Sequence, residues 1–455
     1  MNRRITSLLF FAILFTQVDG NAQGYFGWNM DNYAGVQGVV LNPAELGNSR
    51  TAFEINLASA SAFLSNDYLQ VSFSPELISE FDDFWAESVT RNPLPGNELH
   101  ANLDIIGPSL MFRTGKLSGF ALTTRLRGLY SIENFPGPLL EGIQDEFGAV
   151  EDFDLSVEGH RSLLHSYAEV GFNYGRVVHQ SRHSQLKVGG AVKYLQGIGS
   201  VFTASRSLTA TYVENRNRVT FDGDIAFGRT SDFDYEEFSS ESLTGGFGFD
   251  LGVAFEWYGD QAIDTAYLPP YRVKVGASVT DIGKIGYEQS SRGDYLLGGS
   301  VPTNDLEGYT IESILQDNFD GSESEGPLDV SLPTRLNLML DLRLAGKLYV
   351  SAVMNKSLGA NDESGINGPM PTIVAVTPRL QTRALGLYAP VVFGGYEGPT
   401  MGAGIRFWMV TVGSGSLLTD LIRKESPYGT DVYVGVKLPF FKSNKKPKPQ
   451  PAVQE

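Results

Sequence analysis

From Phe247 to Trp257 the chain alternates without a slip. Phe247, Phe249, Leu251, Val253, Phe255 and Trp257 fall on one side, and Gly248, Asp250, Gly252, Ala254 and Glu256 on the other. A strand sends successive side chains to opposite faces, so this segment has one greasy face and one small or charged face. The same alternation recurs over 168–175, 271–280, 335–344 and 432–440. Each run is about ten residues long, the length of a tilted strand that crosses a bilayer. Beyond residue 22 no stretch reaches the ~18 consecutive apolar residues of a spanning helix. A helical membrane protein is thereby excluded. A membrane β-barrel and a soluble β-protein are left.

Three features separate these two. Strands of a sandwich average about 5–6 residues, shorter than these. The polar face mixes Arg, Lys, Asp and Glu with many glycines, which suits a lumen. Tyr130, Tyr174, Tyr194, Trp257 and Tyr258 stand near segment ends, where an interfacial girdle belongs. The expected fold is all-β: a transmembrane antiparallel outer-membrane barrel of 14 or 16 strands with a small N-terminal plug. Seventeen candidate stretches can be marked, among them 67–74, 185–198, 200–214, 217–228, 245–258, 270–281, 284–290 and 400–412. Bacterial single-chain barrels use even numbers, so some of these must merge or fall outside the wall. Gly115-Lys116, Gly346-Lys347 and Glu397-Gly398 read as tight turns, and 75–100, 131–163, 229–244, 291–333, 358–370 and 413–429 as long connections. A short amphipathic helix is expected over 75–85.

The ends of the chain divide it further. Arg3 and Arg4, the apolar run Leu8 to Phe15, and small residues Gly20 and Ala22 form a cleavable secretory signal over 1–22. Residues 23–50 form a plug or hatch segment, and 51–441 the barrel. Residues 442–455, with four lysines and three prolines, form a basic disordered tail. Export with no spanning helix places the protein in the outer membrane. The chain carries 35 basic and 52 acidic residues, a net charge of −17, which argues against nucleic acid as a partner. It has no cysteine, which removes disulfides, thiolate metal sites and thiol nucleophiles together.

The segment Asn32-Tyr33-Ala34-Gly35 to Leu41-Asn42-Pro43-Ala44 precedes the first strand. It resembles the N-terminal plug of the long-chain fatty-acid transporter-like barrel superfamily, which places Asn-Pro-Ala shortly after the mature N-terminus. Together with Thr280-Asp281-Ile282-Gly283 and the closing Asp431 to Phe440, it is more closely similar to an uncharacterised outer-membrane barrel family of the Bacteroidota, a domain of unknown function. Secretion-partner barrels look similar at this level. The resemblance implies a hatch folded into the lumen, with Asn42, Pro43 and Ala44 as the candidate plug motif. The residues alone also explain the motif as a turn, since the position before proline avoids helix and Asn turns readily.

No catalytic, cofactor or metal-binding residues are nominated. The five histidines form no ligand spacing on a helix, the acidic stretches 141–154, 232–241 and 317–325 read as a solvated surface, with Gln316 to Gly321 lacking the full oxygen-ligand spacing of a calcium loop, and no nucleophile elbow or phosphate loop occurs. The function expected is non-catalytic. The barrel, surrounded by outer-membrane lipid, moves or binds a small hydrophobic molecule through a plugged lumen narrowed by residues such as Arg125 and Arg127. The alternative is an interaction barrel with an envelope or secretion protein partner, serving secretion, gliding or envelope assembly.

Overall fold

The computed structural model describes residues 24–71, 89–145, 147–148, 151–230, 244–263, 270–306, 311–358, 372–394, 398–422 and 429–441. The export signal at 1–22, the helix expected over 75–85, the acidic stretch 232–241 and the tail 442–455 lie outside them.

Fourteen strands form the wall. The first five are β1 (Thr51–Asn66), β2 (Asn97–Ile106, resuming at Ser109–Arg113), β3 (Ser118–Phe135), β4 (Phe153–Gln180) and β5 (Ser184–Val213). The next five are β6 (Arg218–Thr230, resuming at Gly245–Trp257), β7 (Val273–Pro302), β8 (Asp320–Ser331, resuming at Arg335–Ala345), β9 (Leu348–Ser357) and β10 (Ile373–Gln381). The circuit ends with β11 (Leu385–Tyr388 and Val391–Phe393), β12 (Thr400–Met401 and Ala403–Phe407), β13 (Val410–Ser414) and β14 (Gly429–Phe441). Each strand pairs antiparallel with the next. β14 pairs with β1 from Thr51↔Phe441 to Ser65↔Gly429, so the sheet closes and presents no edge.

The closed circuit corrects the segment count. The stretches 185–198 and 200–214 are one strand, β5, and 270–281 and 284–290 are one strand, β7. The stretches 217–228 and 245–258 lie end to end on β6, because both parts pair with β5. The stretch 400–412 folds back at Trp408 into β12 and β13. Leu69–Val71 leaves the wall and pairs with Val89–Arg91 in a separate ribbon.

The alternation read from the sequence maps onto the two faces of the wall. Phe247, Leu251, Phe172, Val192, Val432 and Val434 are exposed on the outside, while Glu169, Asn173, Lys193, Asp250 and Lys437 are buried on the inside. An apolar exterior around a closed backbone ladder is the arrangement a bilayer requires. Tyr130, Tyr174, Tyr194 and Trp257 are exposed on the outer surface. Tyr258 corrects the expected girdle. It follows Trp257 by one residue, so the alternation turns it inward, where it is fully buried and its hydroxyl donates to Gln185 (3.3 Å).

Several strands run far beyond a bilayer. β4 has 28 residues and β5 and β7 have 30 each. About ten suffice to cross, so β4 has roughly 18 to spare, about 60 Å of strand at ~3.3 Å per residue. The regions 131–163 and 291–333, expected as long connections, are therefore about half strand. The burial pattern explains why. In the lower part of β4, Val170 and Phe172 face out and Glu169 and Asn173 face in; higher up, Leu155 and Val157 are buried and Ser156 and Glu158 point to solvent. Polarity inverts where lipid gives way to water. The inward residues of this extension, including Leu208, Tyr212, Phe221 and Leu297, pack with Leu139 and Leu315 from helices α2 (Gly137–Gln144) and α3 (Ile311–Asn318). The N-terminal segment carries helix α1 (Val36–Leu41), described next.

Candidate functional site: the plugged lumen

Residues 24–50 lie within the lumen at the end of the barrel that carries the short turns. Gly115 (φ 91°) and Gly346 (φ 52°) make two of those turns, in backbone conformations that favour glycine. The same end carries both Thr51 and Phe441, the first and last residues of the wall.

After α1, the segment makes one 3-10 turn, Pro43–Leu46. Asn42 caps that turn. Its side-chain oxygen accepts from the Ala44 N–H (2.9 Å), and Pro43 supplies the fixed φ of the first position. The Asn42 amide also donates to the Val253 carbonyl of β6 (3.1 Å), and Asn42 is fully buried. Asn42, Pro43 and Ala44 are thus brought together against the wall, each buried. The wall is cut to receive them. A Cβ on Gly189 would stand 2.4 Å from the backbone of Pro43 and Ala44, and one on Gly252 would stand 2.0 Å from the Asn42 oxygen. Glycine in a strand interior often marks such a close approach.

Charge holds the rest of the segment. Asp31 pairs with Arg406 of β12 (3.1 Å) and accepts from the Tyr388 hydroxyl. Burial alone would raise the Asp31 carboxyl, but the Arg406 guanidinium and the Tyr388 hydroxyl outweigh it and hold the group below its ordinary range. Lys437 of β14 pairs with Glu54 of β1 (3.1 Å) and donates to the Tyr33 carbonyl (2.7 Å), while Glu54 accepts from the Val36 N–H (2.9 Å). Glu45 pairs with Lys274 (3.0 Å). Trp28 is fully buried, stacked 6.2 Å from Tyr433 and 5.6 Å from the Lys437 ammonium.

Two further layers cross the lumen beyond the plug. The first is ionic. Arg125 pairs with Asp104 (2.8 Å) and Glu169 (2.9 Å), Arg127 with Asp281 (2.8 Å), and Lys193 with both Asp250 and Asp281 (2.8 Å each). Arg125 and Arg127 therefore narrow the lumen as expected, each 5% exposed or less. The second is apolar. Leu129, Leu163, Leu195 and Phe202 from one side meet Leu328, Val330 and Ile373 from the other, and Phe26 of the plug belongs to the same cluster. Fully burying each such side chain is worth roughly 1.5–3 kcal/mol.

The pattern in the sequence locates Asn42, Pro43 and Ala44 but misses Asp31, Glu54, Arg406 and Lys437. Their partners lie up to several hundred residues away, so no local spacing reveals them. One signal is present: Arg406 and Lys437 are charged residues on the small face of alternating strands, where a lumen-facing group belongs. Among the described residues no cluster of three or more acidic or histidine side chains could hold a metal ion.

The closed antiparallel wall, apolar outside and polar inside, with its own N-terminal segment seated in the lumen, defines a plugged membrane-spanning β-barrel of the outer-membrane type. The chain belongs to the family of unknown function DUF5723, which matches residues 43–415. No curated protein matches it in sequence. Among solved structures it is similar to the Pseudomonas putida toluene transporter TodX, with 11% identity, a TM-score of 0.45, and 93% of this chain and 99% of that chain covered. It is also similar to the Ralstonia pickettii toluene transporter TbuX (10%, 0.41, 90% and 94%) and to a Pseudomonas aeruginosa FadL homologue (11%, 0.39, 88% and 93%). These likenesses are distant; the barrel assignment rests on the closed ladder itself.

Proposed function

We propose that the chain is an outer-membrane barrel, exported with cleavage after residue 22, that moves a small hydrophobic molecule through a lumen gated by residues 24–50. The observation that carries this reading is the apolar layer across the lumen, of which Phe26 of the plug is a member. A hydrated solute gains nothing from such a layer, whereas a hydrophobic molecule gains about 25 cal/mol for each Å² it removes from water. A molecule bound there competes with Phe26 for the same surface. It therefore favours the state in which the plug has moved, which is how a ligand shifts a two-state equilibrium. The polar contacts that hold the plug suit this role, because water replaces each of them when the plug leaves and their net worth is small. Asn42, Pro43 and Ala44 act in this reading as the seat of the gate, with no ligand contact and no chemistry. The affiliation with Bacteroidota rests on the sequence resemblance.

The test is uptake by cells producing the protein. A hydrophobic fluorescent probe should enter faster than in cells lacking it, and a hydrophilic sugar of similar size should not. Leu163→Asp, which places a charge in the apolar layer, should remove the probe uptake while the barrel still reaches the membrane. Equal uptake of sugar and probe, or probe uptake indifferent to Leu163→Asp, would overturn the reading.

A further inference from the structure

The two ends of the barrel carry opposite charge. At the short-turn end Lys116, Arg182, Arg272, Lys347 and Arg383 are exposed, and among the described turn residues the acid is Asp260. At the far end Asp154, Glu158, Asp222, Glu323 and Glu325 are exposed. A basic face on a chain of net charge −17 runs against the composition.

Inside that basic rim lies a recess of about 300 Å³, lined among others by Tyr33, Arg50, Lys347, Tyr349, Gln381 and Arg383. Gln381 is 4% exposed; its side-chain oxygen accepts from the Asn32 N–H (3.1 Å), and its amide nitrogen is directed toward the Tyr349 hydroxyl. The recess therefore combines cationic side chains, a side-chain amide and two aromatic rings. Its walls are part plug (Asn32, Tyr33, Arg50) and part turn (Lys347, Arg383).

We propose that this recess and its rim bind an acidic peptide segment of a periplasmic protein. Arginine matches a carboxylate bidentately, the Gln381 amide can donate to a carboxylate or a peptide carbonyl, and the Tyr33 and Tyr349 rings flank the aliphatic stems. The volume sits at the lower end of the ligand-pocket range and admits a few side chains at a time. The exposed cations around it steer an acidic segment toward the mouth. Lipid headgroups surround the outside of the wall, whereas this recess is walled on one side by the plug within the lumen. The occupant touches both plug and wall, so it bridges the gate to its frame. The inference stands apart from the transport reading and holds whether or not the lumen conducts.

The experiment uses the full chain in lipid nanodiscs and a fluorescein-labelled oligoglutamate peptide, read by fluorescence anisotropy. The doubly reversed variant Lys347→Glu/Arg383→Glu changes two exposed turn residues, so it leaves the wall intact. It should weaken binding roughly tenfold or more, since it removes two attractions and adds two repulsions. Arg206→Glu at the far end, where the Arg206 side chain is 88% exposed, should leave affinity within about twofold. Unchanged peptide affinity in the double variant would overturn the proposal. So would capture of phosphatidylglycerol vesicles in place of the peptide with the same dependence on Lys347 and Arg383, which would assign the surface to lipid.

Discussion

Gly189→Ala should open the lumen from the wall side, without touching the plug sequence. The new Cβ would stand 2.4 Å from the Pro43 carbonyl carbon and the Ala44 nitrogen, and 2.5 Å from the Pro43 oxygen. All three are backbone atoms, so no side chain can rotate away, and contact at 3.4 Å or more requires the plug to retreat by about 1 Å. That retreat strains the Asn42 bond to Val253, which is already 3.1 Å. Overpacking of this kind costs about 1–3 kcal/mol. Gly189 is in the wall, and the strand it belongs to pairs on both sides, so the cost falls on the seated plug. At about 1.4 kcal/mol per decade, the ratio of displaced to seated plug should rise roughly fivefold to a hundredfold or more. Planar-bilayer recording would read this as more frequent openings, with heat-modifiable gel migration confirming the folded barrel. Gly298→Ala is the control, since a Cβ there meets nothing within 4 Å. The reasoning fails if Gly189→Ala conducts like the parent, or if Gly298→Ala opens the lumen as much.

Other perturbations separate the layers. The depressed Asp31 carboxyl contributes to seating above its unfolded value of about 3.9 and loses that contribution as pH falls through its lower folded value. Openings should therefore increase on acidification in that window, and Asp31→Asn should open the lumen at neutral pH and flatten this component of the pH response. Asp281→Asn should lower barrel stability by about 3–5 kcal/mol, because Arg127 and Lys193 both lose a buried counter-charge; the readout is the temperature at which the compact gel form is lost. Asn tolerates the φ of 61° at this position, so backbone strain does not confound the result. Phe26→Ala should remove about 3–5 kcal/mol of packing from the apolar layer and raise basal entry of a hydrophobic probe, with barrel melting little changed.

The wall was legible in the sequence where lipid surrounds it. A run such as Phe247 to Trp257 has one environment on each side along its whole length, so a period of two survives intact. It was illegible where environment changes along a strand. On β4 the inward face passes from Glu169 and Asn173 to Leu163 and Leu155, and a reader expecting one rule sees the rule end and assigns a loop. Strand bulges add to this. β4 and β5 shift register between Ser166 and Tyr167, and on β5 the inward positions pass there from Leu195 and Gly197 to Ser200 and Phe202. The plug was legible through Asn42-Pro43, whose turn chemistry is local. Its anchors were not, because an ion pair such as Asp31 with Arg406 is specified by the closure of the barrel, not by spacing.

The separation in sequence of those anchors has a consequence for biogenesis. Lys437 reaches the carbonyl of Tyr33 across 404 positions, and Arg406 reaches Asp31 across 375. Contacts between residues so far apart cannot form until the intervening chain is in place. Asp31 and Tyr33 are made and delivered long before β12 and β14, yet Arg406 and Lys437 sit on those late strands. The segment that arrives first must wait for the last hairpin to zip against β1. Until then a half-built barrel has its seat incomplete, and seating of the plug reports that assembly has finished.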